Sequence, residues 1–190
     1  RQVVNPLIGL LYHGDARVRW HAVTAMGAVV ARLADEELEA ARVVMRRLMW
    51  SLNDESGGIG WGAPEAMGEI MARHERLARE YAAILISYLN PAGNLLEHEG
   101  LQQGLLWGLG RLAHARPALT ADAAPFIWPF LFSSRDDLRG MAVWAAGPLL
   151  NPALSEPIQD LCADPAMVTL FIDGRFIQRT IGQLARAALG

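Results

Sequence analysis

The sequence has 190 residues, of which 52% are hydrophobic and 19% charged, and its formal net charge is −3 at pH 7. This length suits one domain with a substantial core, and this composition argues against a disordered chain. The longest apolar runs are too short to span a membrane, and the charge balance lacks the basic excess that is typical of a duplex-DNA binder.

Cys162 is the only cysteine, so no intrachain disulfide can form, and no basic segment followed by an apolar stretch suggests a secretion signal. We therefore expect a cytoplasmic protein. The chain begins with Arg1 rather than methionine, which is compatible with a fragment of a longer protein whose first helix is truncated.

A pair of residues seven positions apart returns five times along the chain. The five pairs are Trp20 with Gly27, Trp61 with Gly68, Leu101 with Gly108, Gly140 with Gly147, and Arg175 with Gly182. Successive glycines lie 41, 40, 39 and 35 residues apart. A period of this length is typical of stacked helical pairs. We therefore predict an all-α, right-handed solenoid, a single domain of about five units with approximate bounds 1–34, 35–74, 75–116, 117–151 and 152–190.

We call the first helix of each pair A, and the second, which carries the seven-residue spacing, B. An A helix is predicted over Glu36–Leu52, with Asp35 as its N-cap, and another over Glu75–Leu89. A third, around Ala121–Phe132, contains two prolines that must bend or interrupt it.

The last unit is the least regular. Its A helix, around Glu156–Ala163, is short, and Met167–Asp173 is rich in β-branched residues that favour an extended chain. The segment from Arg175 to Gly182 keeps the seven-residue spacing and is therefore assigned to the fifth B helix.

Aligned on their glycines, the B segments place apolar side chains on one face, which we expect to pack on the A helices. The glycines lie on another face, and each costs about 1 kcal/mol relative to alanine in a helix interior. Two interpretations remain: a close approach between neighbouring B helices, or a groove with a bare-backbone floor. Trp107 and Trp128 fall in apolar runs and are predicted to be core residues.

The positions beside the glycines are expected to line the concave face of the solenoid. They change from aromatic and acidic, through apolar, to basic along the stack: Trp20, Thr24, Trp61, Glu65, Glu69, Leu101, Leu105, Trp144, Arg175 and Arg179. An exposed patch of this kind suits a protein or peptide segment.

The turn between the helices of the second unit, NDESGGIG, is the strongest deviation from the repeat. Asn53, Asp54 and Glu55 make it a candidate ligand-contacting loop at the rim of the groove. The alternative is a capped turn, in which the polar side chains bond local backbone and the glycines adopt positive φ.

These residues resemble the HEAT-like repeats of the phycobilisome-lyase type. The resemblance is carried by DARVR before WHAVTAMG, at Asp15–Arg19, and by DDLR before GMAVWAAG, at Asp136–Arg139. It implies a ladder of acidic and basic residues between repeats, so we expect these arginines to form internal ion pairs. The segment RRLMWSLNDESGGIGWGAPEAMGE resembles an uncharacterised bacterial branch, which implies a fold but no activity.

The sequence gives little support to catalysis. His74–Glu75 and His98–Glu99 invite comparison with HEAT-repeat iron hydroxylases, whose histidine precedes the glycine by seven positions, but those positions hold other residues here. Cys162 has no identifiable partner, and no phosphate-binding loop or nucleophile elbow is present. We expect no catalytic residue, no metal and no cofactor.

The leading hypothesis is a non-enzymatic scaffold that binds a protein or peptide on its B-helix face. One alternative is a small-molecule or chromophore-handling enzyme of bilin-lyase type, with Asp54, Glu55 and Glu65 as acid–base groups. A deep pocket around Glu65 and Trp61 would favour that enzyme, and an open apolar groove would favour the scaffold. A third hypothesis, nucleic-acid binding, would require a positive stripe through Arg111, Arg139, Arg175 and Arg179.

Overall fold

The structure, a computed structural model, describes residues 2–53 and 60–190. Over these ranges the chain folds into two layers of helices and one β-hairpin. The hairpin consists of β1 (Met167–Ile172) and β2 (Arg175–Thr180). The helices are α1 (Val4–Leu11), α2 (Ala16–Glu36), α3 (Leu38–Leu52), α4 (Ala63–Arg73), α5 (Glu75–Ser87), α6 (Glu99–Ala115), α7 (Ala124–Ile127), α8 (Asp136–Ala146), α9 (Pro152–Asp160) and α10 (Ile181–Leu189).

The even-numbered helices form one layer. Helix α2 contacts α4, α4 contacts α6, α6 contacts α8 and α8 contacts α10, so each B helix packs on the next. The odd-numbered helices form the second layer, and α1, α3, α5, α7 and α9 each pack on the B helix that follows. This arrangement is a helical-repeat solenoid, as predicted. Within the described ranges, none of the helices combines the length and the apolar character needed to cross a bilayer.

The core lies between the two layers. The predicted apolar face of the second B helix is fully buried there, with Ala66, Met67 and Ile70 at 0% exposure. Met45 of α3 and Leu85 of α5 are buried from the other layer. Because burying one such side chain contributes about 1.5–3 kcal/mol, this layer contact is the main source of stability.

The close approach of neighbouring B helices explains the repeated glycines. A Cβ on Gly68 would overlap the backbone of Gly108, and a Cβ on Gly108 would overlap the Pro64 carbonyl oxygen. A Cβ on Gly27 would overlap the side chain of Glu69. Of the two interpretations left open by the sequence, the packing one therefore accounts for these three glycines.

Two details of the A layer differ from, or refine, the prediction. Helix α2 continues to Glu36 and α3 begins at Leu38, so Asp35 lies in the last turn of α2 and is not the N-cap of α3. The helical conformation is interrupted instead at Glu37, where φ is −151°. The two-proline segment is interrupted as predicted, because α7 is flanked by 3₁₀ turns at 121–123 and 128–132.

The fifth unit contains a hairpin where a B helix was predicted to begin. Met167–Ile172 is extended, as its β-branched residues indicated, but Arg175–Thr180 is also a strand and pairs with it antiparallel. Asp173 and Gly174 form the turn with φ of 51° and 77°, the geometry that an Asp-Gly hairpin favours. The fifth B helix therefore starts only at Ile181, and the helical assignment of Arg175 was wrong.

Candidate functional site

The hairpin lies across the outer face of the B layer. The Trp107 indole Nε1 donates a 3.0 Å hydrogen bond to the Phe171 carbonyl oxygen, and the Phe171 ring stacks on Trp20 at a centroid distance of 5.0 Å. Val168 of β1 packs on Gly140 of α8. A segment of the last unit thus rests on B helices of the first, third and fourth units, and a depression lies on each side of it.

The first depression, of about 580 Å³, is called the Glu65 depression. Its volume is within the range of small-ligand sites. The side chains that define its walls come from α2, α4, α6 and the hairpin: Trp20, Trp61, Glu65, Trp107, Phe171 and Phe176.

Two glycines of α6 support the first depression from below. A Cβ on Gly100 would lie 2.7 Å from the Trp61 ring, and a Cβ on Gly104 would lie 2.6 Å from the Glu65 carboxylate. Trp61 also meets His98 edge to face at 5.1 Å. Both side chains enter from the start of α4, where Gly62 turns the chain with φ of 74°. Trp61 and Glu65 therefore lie over two positions of α6, Gly100 and Gly104, that have no side chain.

The Glu65 carboxylate is poorly solvated. Its Oε2 atom is inaccessible to solvent and has no hydrogen-bond partner among the described residues. Burial raises the pKa of Glu65 to about 7, against smaller opposing effects of a backbone hydrogen bond and of Arg19. The Arg19 guanidinium instead donates a 3.1 Å hydrogen bond to the His13 carbonyl oxygen. Perturbed carboxylates in clefts are frequent at functional sites.

The second depression, of about 510 Å³, lies on the other side of Phe171 and is called the Glu69 depression. Glu69 is 4% exposed and accepts hydrogen bonds of 2.6 Å from both Arg73 and Arg111. Its charge is therefore balanced within the molecule. Thr24 also lines this depression.

Trp144 and His114 form the far wall of the Glu69 depression. Their rings stack with centroids 4.8 Å apart, and His114 Nε2 lies 3.2 Å from the Trp144 carbonyl oxygen. Burial lowers the pKa of His114. Neutral imidazole is the form that fits this partly apolar contact.

Several predicted site residues lie elsewhere. Arg175 and Arg179 are exposed on β2 and line neither depression, because the strand replaces the helix that would have directed them into the groove. Asn53 directly follows α3 and lines a separate surface depression beside Leu96. Asp54 and Glu55 lie outside the described residues.

The sequence pattern missed the second half of the Glu65 depression. Phe176 belongs to the strand that was assigned to a helix, Phe171 belongs to a segment expected to be extended but not to fold back on the B layer, and Gly100 and Gly104 precede the repeat glycine of α6. The four-residue spacing of these two glycines was the available signal. Trp107 is 3% exposed, as predicted for a core residue, but it also joins the hairpin to α6.

The charged groups on this face are largely engaged. Arg111 binds Glu69, and Arg139 binds Asp136 and Asp164. The proposed positive stripe would therefore pass through two arginines that are already paired. In the part of the chain that the structure describes, no three His, Cys, Asp or Glu side chains converge as metal ligands would.

Comparison with solved structures supports the fold. The chain aligns over 99% of its length with 81% of a designed armadillo repeat protein in complex with a (KR)4 peptide, at a TM-score of 0.61 and 16% identity. An engineered protein aligns with 98% of the chain and 77% of its own length, at a TM-score of 0.60 and 16% identity. At this identity the likeness concerns the helical-repeat fold alone.

Comparison of sequences identifies a relative of this chain. No family model matches the chain. An uncharacterized protein of the archaeon Archaeoglobus fulgidus is 30% identical over 179 residues, which cover 93% of this chain and 89% of that protein. The chain therefore belongs to the same family as this archaeal protein.

Proposed function

We propose that the protein is a non-enzymatic scaffold that binds a protein or peptide segment on the B-helix face, in the Glu65 depression beside the hairpin. The observation that carries this proposal is the group of aromatic side chains around Trp61, which is 38% exposed although it is anchored on Gly100. Partly buried tryptophans that border a pocket are frequent anchors of protein interfaces.

The shape of the face limits the mode of binding. Because the hairpin crosses the B layer, an extended peptide cannot lie along its full length. A short segment that places one or two side chains in the Glu65 depression is compatible with this geometry. The designed armadillo repeat protein in complex with a (KR)4 peptide shows that a similar scaffold can hold a peptide.

The proposal can be tested by selecting peptides from a random display library on the purified protein and measuring their affinities for variants. Trp61→Ala should weaken binding by about 30-fold, which corresponds to the ~2 kcal/mol typical of an anchor residue. Trp50→Ala is the matched control, because Trp50 is 76% exposed on α3 of the other layer. Failure to select any peptide, or equal losses in both variants, would contradict the scaffold.

A second candidate is an enzyme that handles a small molecule or chromophore, as the bilin-lyase resemblance suggests. Two observations favour it: the depression that contains both Glu65 and Trp61, which is the kind of feature expected of this alternative, and the enclosed Glu65 carboxyl, whose pKa of about 7 suits a general acid or base. A linear tetrapyrrole would then change its absorption spectrum when the protein is added, and Glu65→Gln would slow its conversion. An unchanged spectrum would count against this candidate.

The repeats are proposed to be HEAT-like, of the phycobilisome-lyase type, with the five units bounded as predicted. Ion pairs between units support this assignment. Arg139 pairs with Asp164 of the next unit, and Arg135 pairs with Glu99 of the previous one. We also propose a cytoplasmic location, for which the lone Cys162 is the support.

A further inference from the structure

We propose that the Glu65 depression receives the ammonium group of a lysine side chain carried by the bound segment. This inference rests on the scaffold function proposed above and names the chemistry that its pocket selects. Three features support it: the aromatic walls, the unpaired carboxylate and the shape of the carboxylate surroundings.

The aromatic walls suit an alkyl chain that ends in a cation. Trp20 and Trp107 meet edge to face at 4.6 Å, and Phe171 meets Phe176 at 5.1 Å, so faces and edges of several rings border one volume. A cation within about 6 Å of such rings is attracted by their negative faces. The four methylene groups of lysine would cover apolar wall area that is now exposed to water.

The carboxylate supplies the charge that such a cation needs. Glu65 lines the depression, yet its Oε2 atom has neither solvent contact nor a hydrogen-bond partner in the described residues. A poorly solvated anion gains more from a nearby cation than an exposed one does. Glu69, by contrast, already binds two arginines and offers no unbalanced charge.

The geometry favours lysine over arginine. A guanidinium binds a carboxylate best through both oxygens at once, whereas an ammonium needs one. The Glu65 carboxylate lies against Gly104, and its Oε2 atom is enclosed. A fork of two parallel hydrogen bonds is therefore blocked, and a point charge is not.

The test uses acetyl-(Ala-Lys)4-amide and the same peptide with every lysine Nε-acetylated, which retains the stem and removes the charge. Affinities are measured by isothermal titration calorimetry at pH 8. The lysine peptide should bind at least ten times more tightly than the acetylated one. Glu65→Gln should abolish that difference, and Glu156→Gln, which removes an exposed charge on α9, should preserve it.

Two further measurements keep the test independent of the folding of one variant. Gly104→Ala retains Glu65 but displaces its carboxylate, so it should weaken lysine binding about as much as Glu65→Gln does. The sequence contains 17 arginines and no lysine. The lysine methylene protons in an NMR spectrum of the complex therefore come from the peptide alone. Overhauser contacts should join them to the Trp61 ring.

The pH dependence provides a third readout. Binding of the lysine peptide should strengthen between pH 6 and pH 8 as Glu65 ionises, since burial raises its pKa to about 7. Among the described residues that line the depression, the other titratable or charged groups are Tyr12, His13 and Arg19. The wild-type profile is therefore compared with that of Glu65→Gln, in which the change with pH should be lost.

Three outcomes would overturn the inference. The first is equal affinity for the two peptides, and the second is unchanged binding of the lysine peptide to Glu65→Gln. The third is butylammonium that binds as tightly as the peptide, because this result would indicate a site for a small-molecule cation. If displayed peptides depend on Trp61 but are indifferent to lysine and to Glu65, the scaffold function stands and this inference fails. If no peptide binds at all, both fail.

Discussion

Glu65 lines the candidate site, and its ionised form lowers the stability of the folded chain. A carboxyl whose pKa rises from 4.5 to about 7 on folding binds its proton more tightly in the folded chain than in the unfolded one. The stabilisation that the folded chain gains from this tighter proton binding is fully present below pH 4.5. It is lost as the pH rises through about 7. Above about pH 7 the protein thus carries an ionised group where a neutral one would be more stable, and such a cost in stability is typical of functional positions.

The raised pKa of Glu65 predicts the effect of Glu65→Gln on folding. At pH 8 the variant should be more stable than the wild type by on the order of 1–2 kcal/mol, since a shift of this size corresponds to at most about 3 kcal/mol and the new amide also lacks partners. At pH 4.5 the advantage should disappear. Urea denaturation at both pH values measures the difference, and a constant difference would refute the buried anion.

At the scale of the elements, the glycines that set the spacing of the B helices are the most sensitive positions. Gly68→Ala would force a methyl group into the backbone of α6, which cannot move as a side chain can. We expect a loss of about 3 kcal/mol in the free energy of unfolding, as for other overpacked sites. Gly9→Ala in α1 is the control, because a Cβ there meets nothing within 4 Å. It should stabilise the chain by about 0.5–1 kcal/mol, and both changes can be measured by thermal or urea denaturation.

The sequence predicted the parts of the fold in which the same packing contact recurs in several units. It predicted less well the contacts that occur at one place in the molecule. The spacing of Gly27, Gly68 and Gly108 predicted the B layer, because each helix must approach the next at the same point. The positions of Trp20 and Glu65 on one face followed from helical periodicity. Trp128 was predicted to be core but is 45% exposed, because the proline-interrupted segment around it has no regular apolar face.

The hairpin was missed although its local signals were present. Met167–Asp173 was identified as extended, and Asp173–Gly174 is a turn dipeptide, but the seven-residue spacing of Arg175 and Gly182 placed the start of the fifth B helix six residues too early. Its docking on Trp107 could not be read from the sequence, since it joins residues far apart in the chain. The aromatic half of the Glu65 depression depends on that docking.

At the scale of the whole molecule, the hairpin changes how the repeats depend on one another. In an ordinary solenoid each unit contacts only its neighbours, and stability is a sum of local terms. Here Phe171, 3% exposed, connects the last unit to Trp20 of the first and Trp107 of the third. The first and fifth units are therefore coupled directly.

This coupling can be detected by hydrogen exchange. Phe171→Ala should accelerate exchange in α2 of the first unit, because truncation of a buried phenylalanine costs about 3–5 kcal/mol and part of that loss falls on Trp20. Leu150→Ala, at a side chain that is 84% exposed, is the control and should leave α2 unchanged. Unaltered protection of α2 in Phe171→Ala would show that the two ends are independent.

The contact between Phe171 and Trp20 also limits how many units can lie between α2 and the hairpin. In ordinary repeat proteins an internal module contacts only its two neighbours, so its insertion or loss leaves the other contacts unchanged. Helices in adjacent units stack about 8–10 Å apart, so one inserted module would carry Trp20 out of reach of the hairpin, and one deleted module would drive them into each other. The number of units between α2 and the hairpin is therefore set by an aromatic contact, and a repeat duplicated between them would separate the two sides of the Glu65 depression.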